Sequence, residues 1–502
     1  MLELAWDCDS GVKFPGDMAF DLVSLPVQHG SYVRMMNRIM ADFRKRRWLK
    51  SWPALFATTV FLCLTASFLP IGMTSASEAV PPLENATPTT CGASTGSPRH
   101  YQVAASPDTV HWGFYSKNLA PVIAVNSEDF VTLETITHHA GDDYDRLIAG
   151  DPAIEAIYSW TADGKAVERG PGVHILTGPV YVCGAEPGDL LEVRVVDLKL
   201  RPSGVDSTKT YGSNAAAWWG FQYDNLKNEP SPREVITLYE MDATGQDNYA
   251  KAVYRYQWTP QTTPDGVVHE TIDYPGIIVD PDTVTKISDT LAGVKVPLRL
   301  HLGSMGVAPK EADVVDSIPP SYFGGNIDNR NIGVGTSMYY PVAVPGALFS
   351  GGDAHASQGD GELDGTAIET SITGVFQFVL HKQADLAGTI LEGVNYPLLE
   401  TPDSWIVHGF TYPNYLEALG EEAQTKIYEL SSLDPALKAS SGNLRDFLMN
   451  GMGLSEDEAF SLITVGADFA ITQVVDGNWG VHGIVPKDIF DPATVKPKPA
   501  VH

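Results

Sequence analysis

Between about residues 100 and 380 the apolar residues of this chain alternate with polar ones in short runs, each closed by glycine or proline. Alternation with period two places every second side chain on one face, so this text suits half-buried strands and excludes long amphipathic helices. Residues 190–200 alternate and then change parity at Val195 and Val196, which predicts a β-bulge. Val294, Val296, Leu298, Leu300 and Leu302 make one apolar face, with Arg299 and His301 on the other. In 366–380, Ile368, Ile372, Phe376 and Phe378 point inward while Glu369, Ser371 and Thr373 share the opposite face. The 46 glycines and 35 prolines follow no short period and therefore read as turns rather than a fibrous or low-complexity repeat. Helical spacing comes late, at 415–430 and after Ser455, where Ser455 and Glu458 form a capping box opening a helix to about residue 469. The expected architecture is mainly β: a β-sandwich or jelly-roll-like (CUB-like) body with an α+β C-terminal portion.

The 502 residues, 43% of them hydrophobic, can bury proper cores. A formal charge of −29 argues against a nucleic-acid partner, which needs clustered lysine and arginine. Arg44, Lys45, Arg46, Arg47 and Lys50 precede an apolar run over 53–73 and then small residues, the pattern of a secretory signal. The expected organisation is therefore a leader over 1–39 that precedes the true start or is disordered, a signal peptide over 40–77 and a linker over 78–99. A β core follows over 100–400, with an aromatic-rich insertion near 203–290, and then the α+β portion over 401–502. Such a chain is expected to be exported, periplasmic or extracellular, without stable membrane insertion once the signal is cleaved. Export would permit Cys91 and Cys183 to pair, but their spacing alone leaves this open.

The stretch 324–370 concentrates the potential chemistry. It gathers Asn326, Asp328, Asp353, His355, Gln358, Asp360, Glu362, Asp364 and Glu369 around two apolar runs, with glycines that free the backbone. In extended backbone Asp353 and His355, two apart, would share a face and could both reach a divalent metal, zinc or a similar ion. A third ligand is expected from Asp328, His174 or Glu134. His138 and His139 follow Glu134, and on a strand at most one of that pair would face a given site. An EF-hand starting at Asp360 is excluded because Ser371 stands where the bidentate glutamate belongs, so calcium is left a generic loop at most. No serine-nucleophile elbow, Walker loop or dinucleotide fingerprint is present, which points to activated water.

Several blocks together resemble the acetamidase/formamidase family. They are 172–193, with Gly-Val-His-Ile and Gly-Asp-Leu-Leu-Glu; 324–370, with Gly-Gly-Asn-x-Asp, Gly-Ala-Leu-Phe and Gly-Asp-x-His-x-x-Gln-Gly-Asp-Gly-Glu; 128–143, with the His-His pair; and 467–490. The resemblance implies hydrolysis of a short aliphatic amide to ammonia and a carboxylate, a homo-oligomer, and a divalent metal, zinc or calcium. It places the motif residues on Asp353, His355, Asn326, Asp328 and Glu362. On that reading Glu362 or Glu369 moves the proton and Asn326 binds the amide or the oxyanion. The competing reading is an exported Ca-binding β-sandwich that holds a carbohydrate or peptide through Trp218 and Trp219.

Overall fold

The computed structural model describes residues 80–501, apart from 93–95, 163–168, 264–265 and 273–275. The expected leader and signal peptide lie outside the described residues. No helix among the described residues is long and apolar enough to cross a membrane.

The alternating text builds two large sheets. One runs in the order His100–Val103, Phe130–Thr135, Ile372–His381, Leu190–Leu200, Ser337–Pro341, Leu398–Glu400, Ser404–Phe410, Gly480–Pro486, Asp468–Gln473. The other runs Val296–Pro297, Tyr249–Gln257, Val235–Asp242, Lys209–Ala216, Glu369–Thr370, Phe349–His355, His301–Gly306, Gly324–Asn326, and Ile175–Val182 also pairs with Phe349–His355. Inward side chains of both sheets, among them Val193, Met338, Phe376, Phe378, Leu302 and Phe349, form one buried core, as two sheets packed face to face require. The molecule is mainly β, and its helices gather towards the C-terminus.

The bulge predicted at 195–196 is present. Val375 pairs with Asp197 and Phe376 with Val195, so Val196 is the extra residue. This keeps Val193, Val195 and Leu198 all in the core despite the parity change. The single strand expected over 294–302 is instead two pieces, Val296–Pro297 and His301–Gly306. Pro297 has no N–H to give a ladder. Beyond it, Leu298 N donates to Asn248 O and Arg299 N to Ala356 O outside any strand.

The capping box is formed by Ser455 and Glu458, but its helix, Glu456–Gly466, stops short of 469 because Asp468–Gln473 joins the first sheet. The helical text at 415–430 breaks into short pieces at Gly420, whose φ of 64° ends the helix Tyr415–Leu419. The longest helix, Leu433–Met452, lies against Ser404–Phe410, burying Leu444, Phe447 and Leu448 with Trp405 and Val407. At the other end Cys91 and Cys183 form a disulfide, and Leu83 bridges to His100, which ties residues 83–91 to the β body.

Candidate active site

Neighbouring strands of the second sheet present the polar block by register. His301 lies opposite His355, His355 opposite Glu369, and Ser304 opposite Asn326. Between His301 and Ser304 stands Gly303. A Cβ there would lie 2.3 Å from Asp328 Oδ1, 2.5 Å from Asp353 Oδ2 and 2.5 Å from His355 Cε1. Only glycine lets two carboxylates and an imidazole close over one strand position.

The acids sit on unusual backbone. Asp328, Asp353 and Glu362 have φ of 54°, 53° and 46°, a region that costs roughly 1–2 kcal/mol for a residue with a Cβ. The extended Asp-x-His expected from spacing is therefore corrected. Asp353 is left-handed within its strand, and it still meets His355, with Oδ2 3.4 Å from Nε2.

Four further groups converge on Asp353 and His355. His138 Nδ1 is 3.7 Å from Asp353 Oδ1, and His174 Nε2 is 3.6 Å from Asp353 Oδ2. Glu369 Oε1 is 3.2 Å from His355 Nε2. Asp328 Oδ1 lies 3.8 Å from His355 Nδ1. Three sets, namely His138/His174/Asp353, Asp353/His355/Glu369 and Asp328/His355/Glu362, each bring their ligand atoms within 4.8 Å of one another. Of the adjacent histidines only His138 turns this way, while His139 turns to Asp142 at 3.1 Å.

Glu134 does not join them. Strand alternation sends it to the face where Arg201 runs, and its carboxylate accepts from Arg201 Nη1 at 2.9 Å and Gln102 Nε2 at 3.1 Å. Asp360 is likewise engaged elsewhere, by Arg330 at 2.6 Å. Asp476, from the turn after Asp468–Gln473, enters the cavity beside Asp328 and Glu362. Nothing in its Val-Asp-Gly-Asn surroundings distinguishes it from an ordinary turn aspartate.

Hydrogen bonding orients His355. Burial holds His301 neutral, its pKa lowered to about 3, and its Nδ1 lies 2.7 Å from Arg299 O, so Nδ1 carries the proton. His301 Nε2, Gln358 Oε1 and His355 Nδ1 then lie 2.9–3.1 Å apart, and the one proton among them is that of His355 Nδ1–H, shared between His301 Nε2 and Gln358 Oε1 as acceptors. Gln358 is fixed in turn, because its Nε2 donates to Asp328 O at 2.6 Å. His355 Nε2 therefore faces the Asp353 and Glu369 carboxylates, a place that calls for a positive charge, either a proton on the imidazole or a cation between the groups. His301 was not singled out among the candidates from sequence.

The charge states follow from this packing. Burial alone would raise Asp353, but His174, His355 and His138 outweigh it and hold the carboxyl well below its usual range. Burial raises Glu369 to about 7 and Asp328 to about 6, in each case against the opposing pull of His355. Burial, reinforced by Asp328, raises both Glu362 and Asp476 well above the carboxylate range. Five carboxyls share the cavity, and no lysine or arginine lines it among the described residues. Asp328 is hydrogen-bonded to the Glu362 and Asp476 side chains, whereas Asn326 Oδ1 and Glu369 Oε2 are buried and accept no hydrogen bond among the described residues. Such orphaned acceptors mark a place built for a ligand.

Known proteins resemble this chain in sequence and in fold. The sequence model described as the Acetamidase/Formamidase family matches residues 168–317 and 310–492. The chain is 32% identical over 225 residues to an acetamidase of Mycolicibacterium smegmatis, covering 40% of this chain and 52% of that protein. It is 27% identical over 213 residues to a formamidase of Methylophilus methylotrophus, covering 38% and 47%. The chain thus spans about half the length of the curated relatives it matches. Among solved structures, an acetamidase from Yersinia enterocolitica superposes with a TM-score of 0.54 at 20% identity, covering 78% of this chain and 93% of that one. One from Bacillus halodurans gives 0.51 at 21%, covering 77% and 98%. At these identities the structures speak for the fold.

Proposed function

The chain belongs to the acetamidase/formamidase family, and from that membership we propose that it is an amidohydrolase, splitting the C–N bond of a primary carboxamide into ammonia and a carboxylate. The observation that carries the reading is the convergence of Asp353, His355, Glu369, Glu362 and Asn326 in one cavity, with buried oxygen atoms left unpartnered. The names of the relatives in Mycolicibacterium smegmatis and Methylophilus methylotrophus, an acetamidase and a formamidase, support the same substrate class.

The residues present fit a divalent metal. Imidazole and carboxylate donors meet around Asp353, and Glu369 Oε2 accepts no hydrogen bond among the described residues. Three histidines favour zinc over calcium, which prefers oxygen alone. His138, His174 and Asp353 would hold such an ion, with His355 beside them. When bound, it supplies Lewis-acid polarisation of a carbonyl and makes bound water more acidic.

The protein's own groups then divide the proton work. Asn326, with an unpartnered Oδ1, orients the amide by accepting an N–H. Glu369 takes the proton of the attacking water, with His355 holding its other oxygen. Glu362, kept protonated by burial beside Asp328, delivers a proton to the departing nitrogen. The Cys91–Cys183 disulfide supports an exported location, where such a bond persists.

The test is ammonia release from formamide, acetamide and phenylacetamide by purified protein, alongside Glu369→Gln. The wild type releases ammonia, and the variant loses about 10²–10⁴-fold, the usual worth of a positioned base. A folded wild type that hydrolyses none of these amides overturns the reading.

A further inference from the structure

The cavity holds about 450 Å³. A four-heavy-atom amide fills on the order of 100 Å³, taking roughly 30 Å³ per water-sized group. The remainder is bounded by Trp218, Trp219, Ile272, Val474, Val475 and Trp479. This wall is built rather than incidental. The indole Nε1 of Trp218 donates to Ile272 O at 3.1 Å and that of Trp219 to Gly365 O at 3.1 Å. The buried Glu234 carboxylate accepts from Trp218 N at 3.0 Å and Ile272 N at 2.9 Å, clamping both ends of the wall. Trp218 and Trp219 stand edge to face at 5.6 Å. Trp218, Trp219 and Ile272 come from the segment read in the sequence as an insertion.

From this we infer that the substrate is a primary amide whose acyl group carries a bulky apolar, aryl-sized substituent. The inference rests on the amidase reading and sharpens it. Acetamide would leave the apolar end of the cavity to water that finds few polar partners there, whereas an arylalkyl group would displace it and pack on the indoles. If ammonia is the amine released, the nitrogen carries no substituent and the bulk sits on the acyl carbon.

The experiment compares kcat/KM for acetamide, phenylacetamide and N-phenylacetamide, with acetate and phenylacetate as competing ligands measured by calorimetry. Phenylacetamide is expected to exceed acetamide by about 10²-fold or more, since even one methylene in an apolar pocket is worth roughly 10–200-fold. Phenylacetate is expected to bind at least about tenfold tighter than acetate on the same ground. Trp218→Ala is expected to lower the phenylacetamide-to-acetamide ratio about tenfold, the loss of one apolar wall. Acetamide turned over as well as phenylacetamide overturns the inference and leaves the amidase reading standing. Turnover of N-phenylacetamide but not phenylacetamide overturns the acyl placement. No ammonia from either primary amide overturns the amidase reading, and the carboxylate affinities then decide the pocket's preference by themselves.

Discussion

Replacing Gly303 by alanine tests the site with a single methyl group. The Cβ would fall 2.3 Å from Asp328 Oδ1 and 2.5 Å from both Asp353 Oδ2 and His355 Cε1. Ordinary contact begins near 3.5 Å, so each group must retreat by about 1 Å. All three are side-chain atoms, and Gly303 is not at positive φ, so the strand can keep its ladder while the cluster opens. Displacement of that size costs on the order of 10²-fold in rate when a reacting group is moved from its place. Gly351→Ala is the control. Its Cβ meets Leu302 Cδ1 at 3.3 Å, the end of a flexible side chain in the neighbouring strand, and the Phe349 ring at an ordinary 3.7 Å. Both variants should melt cooperatively, and only Gly303→Ala should lose ammonia release and bound divalent metal, read as kcat/KM and as metal per chain. Wild-type kcat/KM in a folded Gly303→Ala would refute the assignment of Asp328, Asp353 and His355 to the reaction.

Three further outcomes are expected. His355→Ala should lower both bound divalent metal and ammonia release, and full activity with normal metal content would remove His355 from the site. His301→Phe keeps a ring of similar volume but withdraws the acceptor of His355 Nδ1–H; metal affinity and kcat/KM should fall about 10–100-fold, the usual worth of a ligand's supporting hydrogen bond, and an unchanged affinity would mean that Gln358 alone orients His355. Asp316, which accepts from Tyr428 Oη at 2.7 Å and Ile318 N at 2.9 Å, is raised by burial from 3.8 to about 6. A raised folded-state pKa means that stability from this group is complete below about pH 4 and is lost as pH rises through about 6, by about 3 kcal/mol above pH 7. About 1.4 kcal/mol of this falls between pH 5 and pH 8, so urea denaturation at those two values should show Asp316→Asn losing most of that part of the pH dependence, and equal pH dependence in both proteins would contradict it.

How far the fold could be read in advance depended on whether local pattern or distant contact decides each element. The Val195–Val196 bulge and the Ser455–Glu458 cap are written locally, so residue order was enough for both. The helix Leu433–Met452 was missed because Ser440, Ser441 and Gly442 interrupt its apolar stripe; its packing on Ser404–Phe410 supplies what propensity lacks. At the site, Asp353, His355, Asp328 and Glu369 stood out because glycines and acids crowd one stretch. Asp476 and His138 arrive from segments far away in sequence, and only sheet order brings them to Asp353. Glu134 illustrates the opposite case, since a plausible ligand beside the His-His pair is claimed by Arg201, more than sixty residues along the chain. His301 looked like a polar position on a half-buried strand, and its importance lies in which nitrogen it leaves for His355.

Strain and charge at this site point in one direction. A fold that needed only stability would not place three acids at positive φ and bury five carboxyls around one cavity with no lysine or arginine lining it among the described residues. The groups are instead held in unequal states by their neighbours. Asp353 is kept ionised by histidines, Glu362 and Asp476 are kept protonated by burial and by Asp328, and Glu369 lies between, near 7. Carboxyls separated in this way can act as ligand, acid and base within a few ångströms of one another, which is the division of labour that amide hydrolysis requires. Gly303 makes room for the cluster, His301 and Gln358 fix its central imidazole, and in the proposed reaction the tryptophan wall beyond it would limit how large an acyl group can reach it.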